Sequence, residues 1–190
     1  MLLDGSRIRA LIVGGGKVAH RKALALLDSG ASVRVVAPEI GPGLRAAAGP
    51  RLTFEERAYA STDIGDATLV IAATNVRAVN ARVAADARAA GRLVNVSDAP
   101  AEGDWVTVAT HRAGPLVIGV SAGGVPSAAA RIRDAIGARF DARYGEALAA
   151  LAVLRARGSA WDAAEPALVG PEFCERVERG EIAAQVAAWR

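Results

Sequence analysis

Ile8-Arg9-Ala10-Leu11-Ile12-Val13-Gly14-Gly15-Gly16-Lys17-Val18-Ala19 is the stretch on which the reading of this chain turns. A short apolar run is closed by three glycines. After it, Ala19, Ala23, Leu26 and Leu27 recur at helical spacing until Gly30 supplies a stop. The pattern predicts a buried strand over Ile8 to Val13, a tight turn, and a helix over Lys17 to Ser29. The glycines fit G-x-G-x-x-[GA]. Gly14 permits the turn, and Gly16 lets a pyrophosphate reach the backbone. Ala19 is small enough for close helix–strand packing. Unpaired N–H groups at a helix start favour an anion. The loop Gly14, Gly15, Gly16, Lys17 and Val18 therefore reads as a dinucleotide phosphate site, with turn formation alone as the plainer alternative.

Outward from that loop the chain keeps alternating. Ser32 to Ala37, Leu52 to Phe54, Thr68 to Ala73 and Arg92 to Ser97 read as further strands, and Val76 to Ala90 as a helix. Strands separated by helices predict an α/β fold of Rossmann type, a doubly wound parallel sheet. The pattern changes after Pro100. Trp105 to Ala109 and Leu116 to Ser121 read as antiparallel strands joined across His111 to Pro115. From Pro126 the chain reads helical, over Pro126 to Phe140, Asp141 to Arg157 and shorter pieces to Arg190. Ser159 and Asp162 are spaced as a capping box. The expected organisation is an NAD-binding Rossmann domain over 1–110, a small α+β dimerisation and substrate domain over 111–145, and a helical C-terminal region over 146–190.

Three further stretches carry chemistry. The second strand ends in Ala37-Pro38-Glu39, where a carboxylate repels a 2′-phosphate, so NAD is preferred to NADP; Arg34 and Arg45 oppose this, and Glu39 as a plain loop charge is the alternative. Thr74 and Asn75 follow the fourth strand and suit hydrogen bonds to ribose or nicotinamide, or a helix N-cap, roles that are compatible. Asn95-Val96-Ser97-Asp98-Ala99-Pro100 brings a carboxylate to the carboxyl end of the next strand. There Asp98 reads as a general base or as a turn starter. Ser121, Gly123 and Gly124 form a second glycine-rich turn, able to hold a substrate carboxylate or simply to join strand to helix. Gly119 to Gly123 formally matches G-x-S-x-G, but both histidines precede Ser121, which excludes that nucleophile arrangement.

Composition narrows the classes. The chain has 190 residues, 52% hydrophobic, 23% charged and 4% aromatic, so its core is aliphatic and base-stacking surfaces are disfavoured. A net charge of +3 with scattered basic residues argues against nucleic acid and suits a small polyanion. One cysteine, Cys174, excludes a disulfide framework and points to the cytoplasm. Two histidines and one cysteine cannot build a Cys/His zinc cluster. No apolar run approaches the roughly 18 residues of a membrane span, and the N-terminus lacks a signal-peptide pattern.

Taken in order, V-G-G-G-K-V-A-x-R-K, V-V-A-P-E, V-I-A-A-T-N, N-V-S-D-A-P and G-P-L-V-I-G-V-S-A-G-G resemble the precorrin-2 dehydrogenase family, which includes the N-terminal module of bifunctional sirohaem synthases. The resemblance covers Met1 to about Tyr144. It implies oxidation of precorrin-2 to sirohydrochlorin with NAD, in some members followed by insertion of Fe²⁺ (a ferrochelatase activity), in a homodimer. It makes Asp98 the catalytic carboxylate and assigns the cofactor to Gly14, Gly16, Lys17, Val18, Pro38, Glu39, Thr74 and Asn75. The chain departs from the family at Ala122, where a hydroxyl is common. Arg112 and Arg131 are candidates to meet substrate carboxylates, in a cleft expected between the domains. Asp98 and His111 are the metal-facing candidates if iron is inserted. Rival readings are a non-enzymatic NAD-sensing module and another small-molecule NAD-dependent dehydrogenase.

Overall fold

Arg9–Val13 forms β1, with every residue but the first buried, as a parallel strand covered on both faces requires. The structure, a computed structural model, describes residues 3–188. Four further strands join β1: β2 (Ser32–Ala37), β3 (Leu52–Glu56), β4 (Leu69–Ala72) and β5 (Leu93–Val96). All pairings are parallel, in the order β3-β2-β1-β4-β5. The chain winds outward from β1 to β3, then returns to β4 on the other side of β1. That reversal puts a switch point between β1 and β4, and ligands bind outside the carboxyl ends of strands at such points.

Side-chain alternation along the strands divides the core in two. Leu11, Val13, Val36, Val70, Val94 and Val96 pack with Val83, Ala84 and Ala87 of α3 (Arg77–Ala89). Ala10, Ile12, Val35 and Ile71 pack on the opposite face with Ala19 and Ala23 of α1 (Lys17–Asp28) and Leu44 of α2 (Pro42–Ala46). The α/β class and the doubly wound parallel sheet are as the sequence pattern implied. α2 went unread because five residues are too few to show a helical period.

Asp63 fastens the β3 edge. It is 4% exposed and accepts hydrogen bonds from Arg57 at 2.8 and 2.6 Å and from the Ala60 amide at 2.8 Å. The Arg57 hydrogen bonds, with the Ala60 amide and the charges of Arg57 and Arg34, outweigh desolvation and hold its pKa down to about 2. A carboxylate whose folded pKa lies below its unfolded value stabilises the fold above the unfolded pKa, and that contribution disappears as pH falls through the folded one. Asp63→Asn is therefore expected to destabilise the protein by about 2 kcal/mol at pH 7. Urea midpoints of the two proteins should converge between pH 4 and pH 2.

Contacts cluster into two units, Met1–Val106 and Thr107–Arg190. The second opens with the antiparallel pair β6 (Ala109–Ala113) and β7 (Leu116–Val120). This corrects the expected strand over Trp105 to Ala109. The carbonyl of Trp105 accepts a hydrogen bond from Asn95 at 2.8 Å, and Asp104 bonds to Val94 through both its amide and its carboxylate. Those ties hold the segment beside β5, so the hairpin begins later, in A-T-H-R-A, where alternating polar residues masked it. Gly114 and Pro115 alone form the turn, with Gly114 at φ +54°.

α4 (Pro126–Arg139) packs on this hairpin. A third core joins Tyr144, Ala147, Leu151 and Leu154 of α5 (Ala142–Arg155) to α6 (Ser159–Leu168), α7 (Phe173–Glu178) and α8 (Glu181–Ala188). The boundaries read from sequence at 110/111 and 145/146 fall inside β6 and α5. The capping box expected at Ser159 is not formed, because α6 starts at Ser159 itself and Gly158 is its N-cap. The last two residues of the expected helical tail, 189 and 190, lie outside the described residues. Among the described residues no helix is long and apolar enough to cross a membrane.

Candidate functional site

The three glycines after β1 have different reasons to be glycine. Gly14 has φ +128°, and a Cβ there would lie 2.3 Å from the Ala73 carbonyl oxygen. A Cβ on Gly15 would lie 1.9 Å from the Glu39 carbonyl oxygen, and the Gly15 carbonyl accepts a hydrogen bond from the Gly41 amide at 3.0 Å. These two residues clamp the loop between the ends of β4 and β2. Gly16 is different: its φ is −87°, and a Cβ would meet nothing within 4 Å. Among the described residues, no contact requires position 16 to lack a side chain.

Gly16 is also the N-cap of α1, with no side chain capping it, and the first intrahelical hydrogen bond runs from the His20 amide to its carbonyl at 3.0 Å. The preceding amides of that first turn are left for an external acceptor. Lys17 is exposed beside them, Val18 is 41% exposed, and Ala19 is fully buried against the sheet. Bare backbone, free N–H groups and the positive end of a 12-residue helix are together what an anion seat requires, and there is room above them.

At the end of β2, Pro38 and Glu39 are exposed. The two cations that opposed a preference for NAD are both engaged. Arg34 pairs with Glu55 at 3.1 Å and with the Asp63 carbonyl. Arg45 donates to the Ile40 carbonyl at 3.1 Å and pairs with Glu56.

After β4, Thr74 is held rather than free. The carboxamide of the fully buried Asn80 accepts from the Thr74 amide (3.1 Å) and hydroxyl (2.8 Å), and donates to its carbonyl at 3.0 Å. The Thr74 hydroxyl also accepts from the Val76 amide at 3.1 Å. Neither Thr74 nor Asn75 is the N-cap of α3; Val76 is. Asn80 is thus a shaping residue that the reading of the loop overlooked. Its signal was a polar residue on the apolar face of a helix. Asn75 is exposed on the loop that Asn80 fixes.

After β5, the Ser97 amide donates to the Ala72 carbonyl at 2.9 Å, and Asp98 stands exposed just beyond. Because β1, β4 and β5 are adjacent and parallel, Gly14 to Lys17, Thr74-Asn75 and Asp98 share one end of the sheet. Two strand spacings, about 10 Å, separate the lines of β1 and β5. Arg77 lies close to Asp98. The hydrogen bond from Arg77 to Glu102, then the charges of Glu102 and Asp98, strengthen its hold on its proton. The Ser97 hydroxyl oxygen is buried with no hydrogen-bond partner among the described residues, as is Oδ1 of Asn95.

In the second unit, Ser121 is exposed, and Gly123 and Gly124 have φ values of +53° and +84° with open space where a Cβ would be. Backbone conformation accounts for those two glycines, the plainer of the two readings. Arg112 and Arg131 are exposed without an ion-pair partner among the described residues. His111 points to α4, so Arg112, its neighbour on β6, points to the other side of the hairpin. His111 is no loose turn residue. Its Nε2 lies 2.6 Å from the Phe140 carbonyl, and a Cβ on Gly137 would come within 2.9 Å of its Nδ1. The ring ties β6 to the end of α4. Among the described residues no three His, Cys, Asp or Glu side chains gather as a metal site.

Comparison with known proteins adds to this geometry. The model of the family described as "Putative NAD(P)-binding" matches residues 1–109. The siroheme synthase of Ectopseudomonas mendocina (strain ymp) is 46% identical over 137 residues, 72% of this chain and 29% of that protein. Those of Saccharophagus degradans and Pseudomonas paraeruginosa are 40% and 41% identical over 93% and 95% of this chain, and 38% and 39% of their own lengths. The chain therefore spans about a third of the length of the curated relatives it matches. A solved structure of SirC, a precorrin-2 dehydrogenase, superposes with a TM-score of 0.77 over 99% of this chain and 98% of that one. At 23% identity, that likeness speaks for the fold.

Proposed function

The chain belongs to the NAD(P)-binding family whose model spans residues 1–109, and from that premise we propose that it oxidises precorrin-2 to sirohydrochlorin with NAD⁺ as acceptor. The observation that carries the reading is Gly16, a glycine that no contact among the described residues explains, placed at the uncapped start of α1. Its siroheme synthase relatives supply the substrate class.

In this reading the amides from Gly14 through Gly15 and Gly16 to Lys17 and Val18 hold the pyrophosphate. Pro38 and Glu39 flank the adenosine ribose, and Thr74 and Asn75 face the nicotinamide half. NAD⁺, when bound, supplies the hydride acceptor. Asp98 takes the proton that the substrate must lose as it is oxidised, from the strand end beside the Thr74 loop. The tetrapyrrole carries carboxylate side chains, for which Ser121, Gly123, Gly124, Arg112 and Arg131 are the candidate partners in the second unit. The working assembly is a homodimer in the cytoplasm. Iron insertion is the weaker extension, since His111 would have to give up the Phe140 carbonyl to serve as a ligand through Nε2.

The test is an anaerobic absorbance assay of precorrin-2 with the protein, with and without NAD⁺. Sirohydrochlorin should appear only with NAD⁺. Tight NAD⁺ binding with no turnover would instead favour a nucleotide-sensing module. Adding Fe²⁺ to sirohydrochlorin in the same cuvette tests chelation, which would show as acceleration over the protein-free rate.

A further inference from the structure

Glu56 is the last residue of β3 and lies opposite Ala37, the last residue of β2, in the parallel register. It therefore stands beside the strand end from which Pro38 and Glu39 extend. Its carboxylate pairs with Arg45 of α2. The Arg45 guanidinium is held at two other points, by its Nε donating to the Ile40 carbonyl at 3.1 Å and by lying over the Phe54 ring, 5.5 Å from its centroid. Carbonyl, ring and carboxylate together fix a side chain that would otherwise be among the most mobile on the surface. Arg45 also senses Glu39: the Glu56 hydrogen bond first, and then the charges of Glu56 and Glu39, outweigh desolvation and raise its pKa. Two carboxylates and one guanidinium leave this corner with one net negative charge.

We propose that Glu56 is a specificity-determining residue, which parks Arg45 on the β3 edge and so keeps that arginine from receiving a 2′-phosphate. The inference rests on the dinucleotide reading of the glycine loop and deepens it. An acidic residue beyond β2 explains why a 2′-phosphate is repelled. Glu56 explains why the nearby arginine, which in other sites of this kind accommodates that phosphate, does not do so here. The ion pair is half exposed, with side-chain exposures of 47% and 40%, so it is held by geometry that one substitution undoes rather than by deep burial.

Binding of NAD⁺ and NADP⁺ to the full chain, measured by titration calorimetry, tests this without turnover. Glu56→Gln removes one negative charge and with it the ionic hold on Arg45, leaving the Ile40 carbonyl and the Phe54 ring. It should tighten NADP⁺ about tenfold, a change of about 1.4 kcal/mol, with NAD⁺ affinity changed less than about threefold. Glu56→Asp, which keeps the negative charge on this edge, should retain more of the original preference than Glu56→Gln. Glu56→Gln with Arg45→Met should lose most of the NADP⁺ gain, a result that a general loosening of the β3 edge would not produce. Unchanged NADP⁺ affinity in Glu56→Gln, in a variant that still binds NAD⁺ normally, would overturn the role of Glu56 alone. Failure of the unsubstituted protein to bind either nucleotide would overturn the dinucleotide reading, and this inference with it.

Discussion

Gly16→Val is expected to give a stably folded protein whose NAD⁺ affinity has fallen at least about a hundredfold, whereas Gly15→Ala is expected not to fold. The two substitutions differ by one position and have opposite consequences because the two glycines meet different neighbours. At position 15 even a single methyl group would be driven to 1.9 Å from a backbone carbonyl oxygen, that of Glu39, which cannot swing aside as a side-chain tip can. Relieving the clash would separate the β1–α1 loop from the β2 end and break the hydrogen bond from Gly41 to Gly15. Overpacking of rigid backbone costs several kcal/mol, comparable to the whole stability of a domain this size. At position 16 the backbone is already in a region open to every residue, and the space above it is empty. Valine there gives up a favoured N-cap residue at a cost of about 1 kcal/mol, which the fold can bear, and fills the place where a pyrophosphate would rest. Thermal unfolding by circular dichroism and calorimetric titration with NAD⁺ separate the two effects. A Gly16→Val protein that melts normally and binds NAD⁺ as well as its parent would remove the glycine loop from the site.

Much of this arrangement was legible because local signals agreed with one another. In β1, β4 and β5 the apolar runs are those of strands buried on both faces, and each is followed by a small-residue turn. One pattern therefore fixed the strand, its direction and the end that faces a ligand. The Asp98 turn was legible for the same reason, since parallel order forces the residues after β5 to the same end as those after β1. Legibility failed where a long-range tie overrode local propensity. Trp105-Val106-Thr107-Val108 has the composition of a strand, but a hydrogen bond from Asn95 to the Trp105 carbonyl and those between Asp104 and Val94 hold its start beside β5. His111 looked like a turn residue until Phe140, remote in sequence, supplied its partner. The roles of Asn80 and Glu56 needed their neighbours in space: a polar residue on an apolar helix face marks Asn80, but not that it reaches back six residues to grip Thr74.

Asp98→Asn is expected to lower turnover of precorrin-2 by about 10²- to 10⁴-fold, leaving NAD⁺ affinity within about threefold and the unfolding midpoint essentially unchanged. The stability expectation follows from exposure: Asp98 is open to solvent and takes no part in either core of the sheet, and surface substitutions of that kind stay within about 0.5 kcal/mol. The binding expectation follows from distance, since the glycine loop proposed to hold the phosphates follows β1, two strands away. The turnover expectation follows from chemistry. Asparagine keeps the shape of aspartate and its ability to hydrogen-bond, yet it cannot accept the proton that oxidation of the substrate releases. Arg77, whose charge lies near Asp98, would still be held by Glu102 in the variant, so local charge changes only by the carboxylate itself. Single-turnover absorbance with saturating NAD⁺ reads the chemical step directly. If the variant forms sirohydrochlorin at the parental rate, Asp98 is the ordinary turn residue its sequence context also allows, and the proton must leave through another group at this end of the sheet.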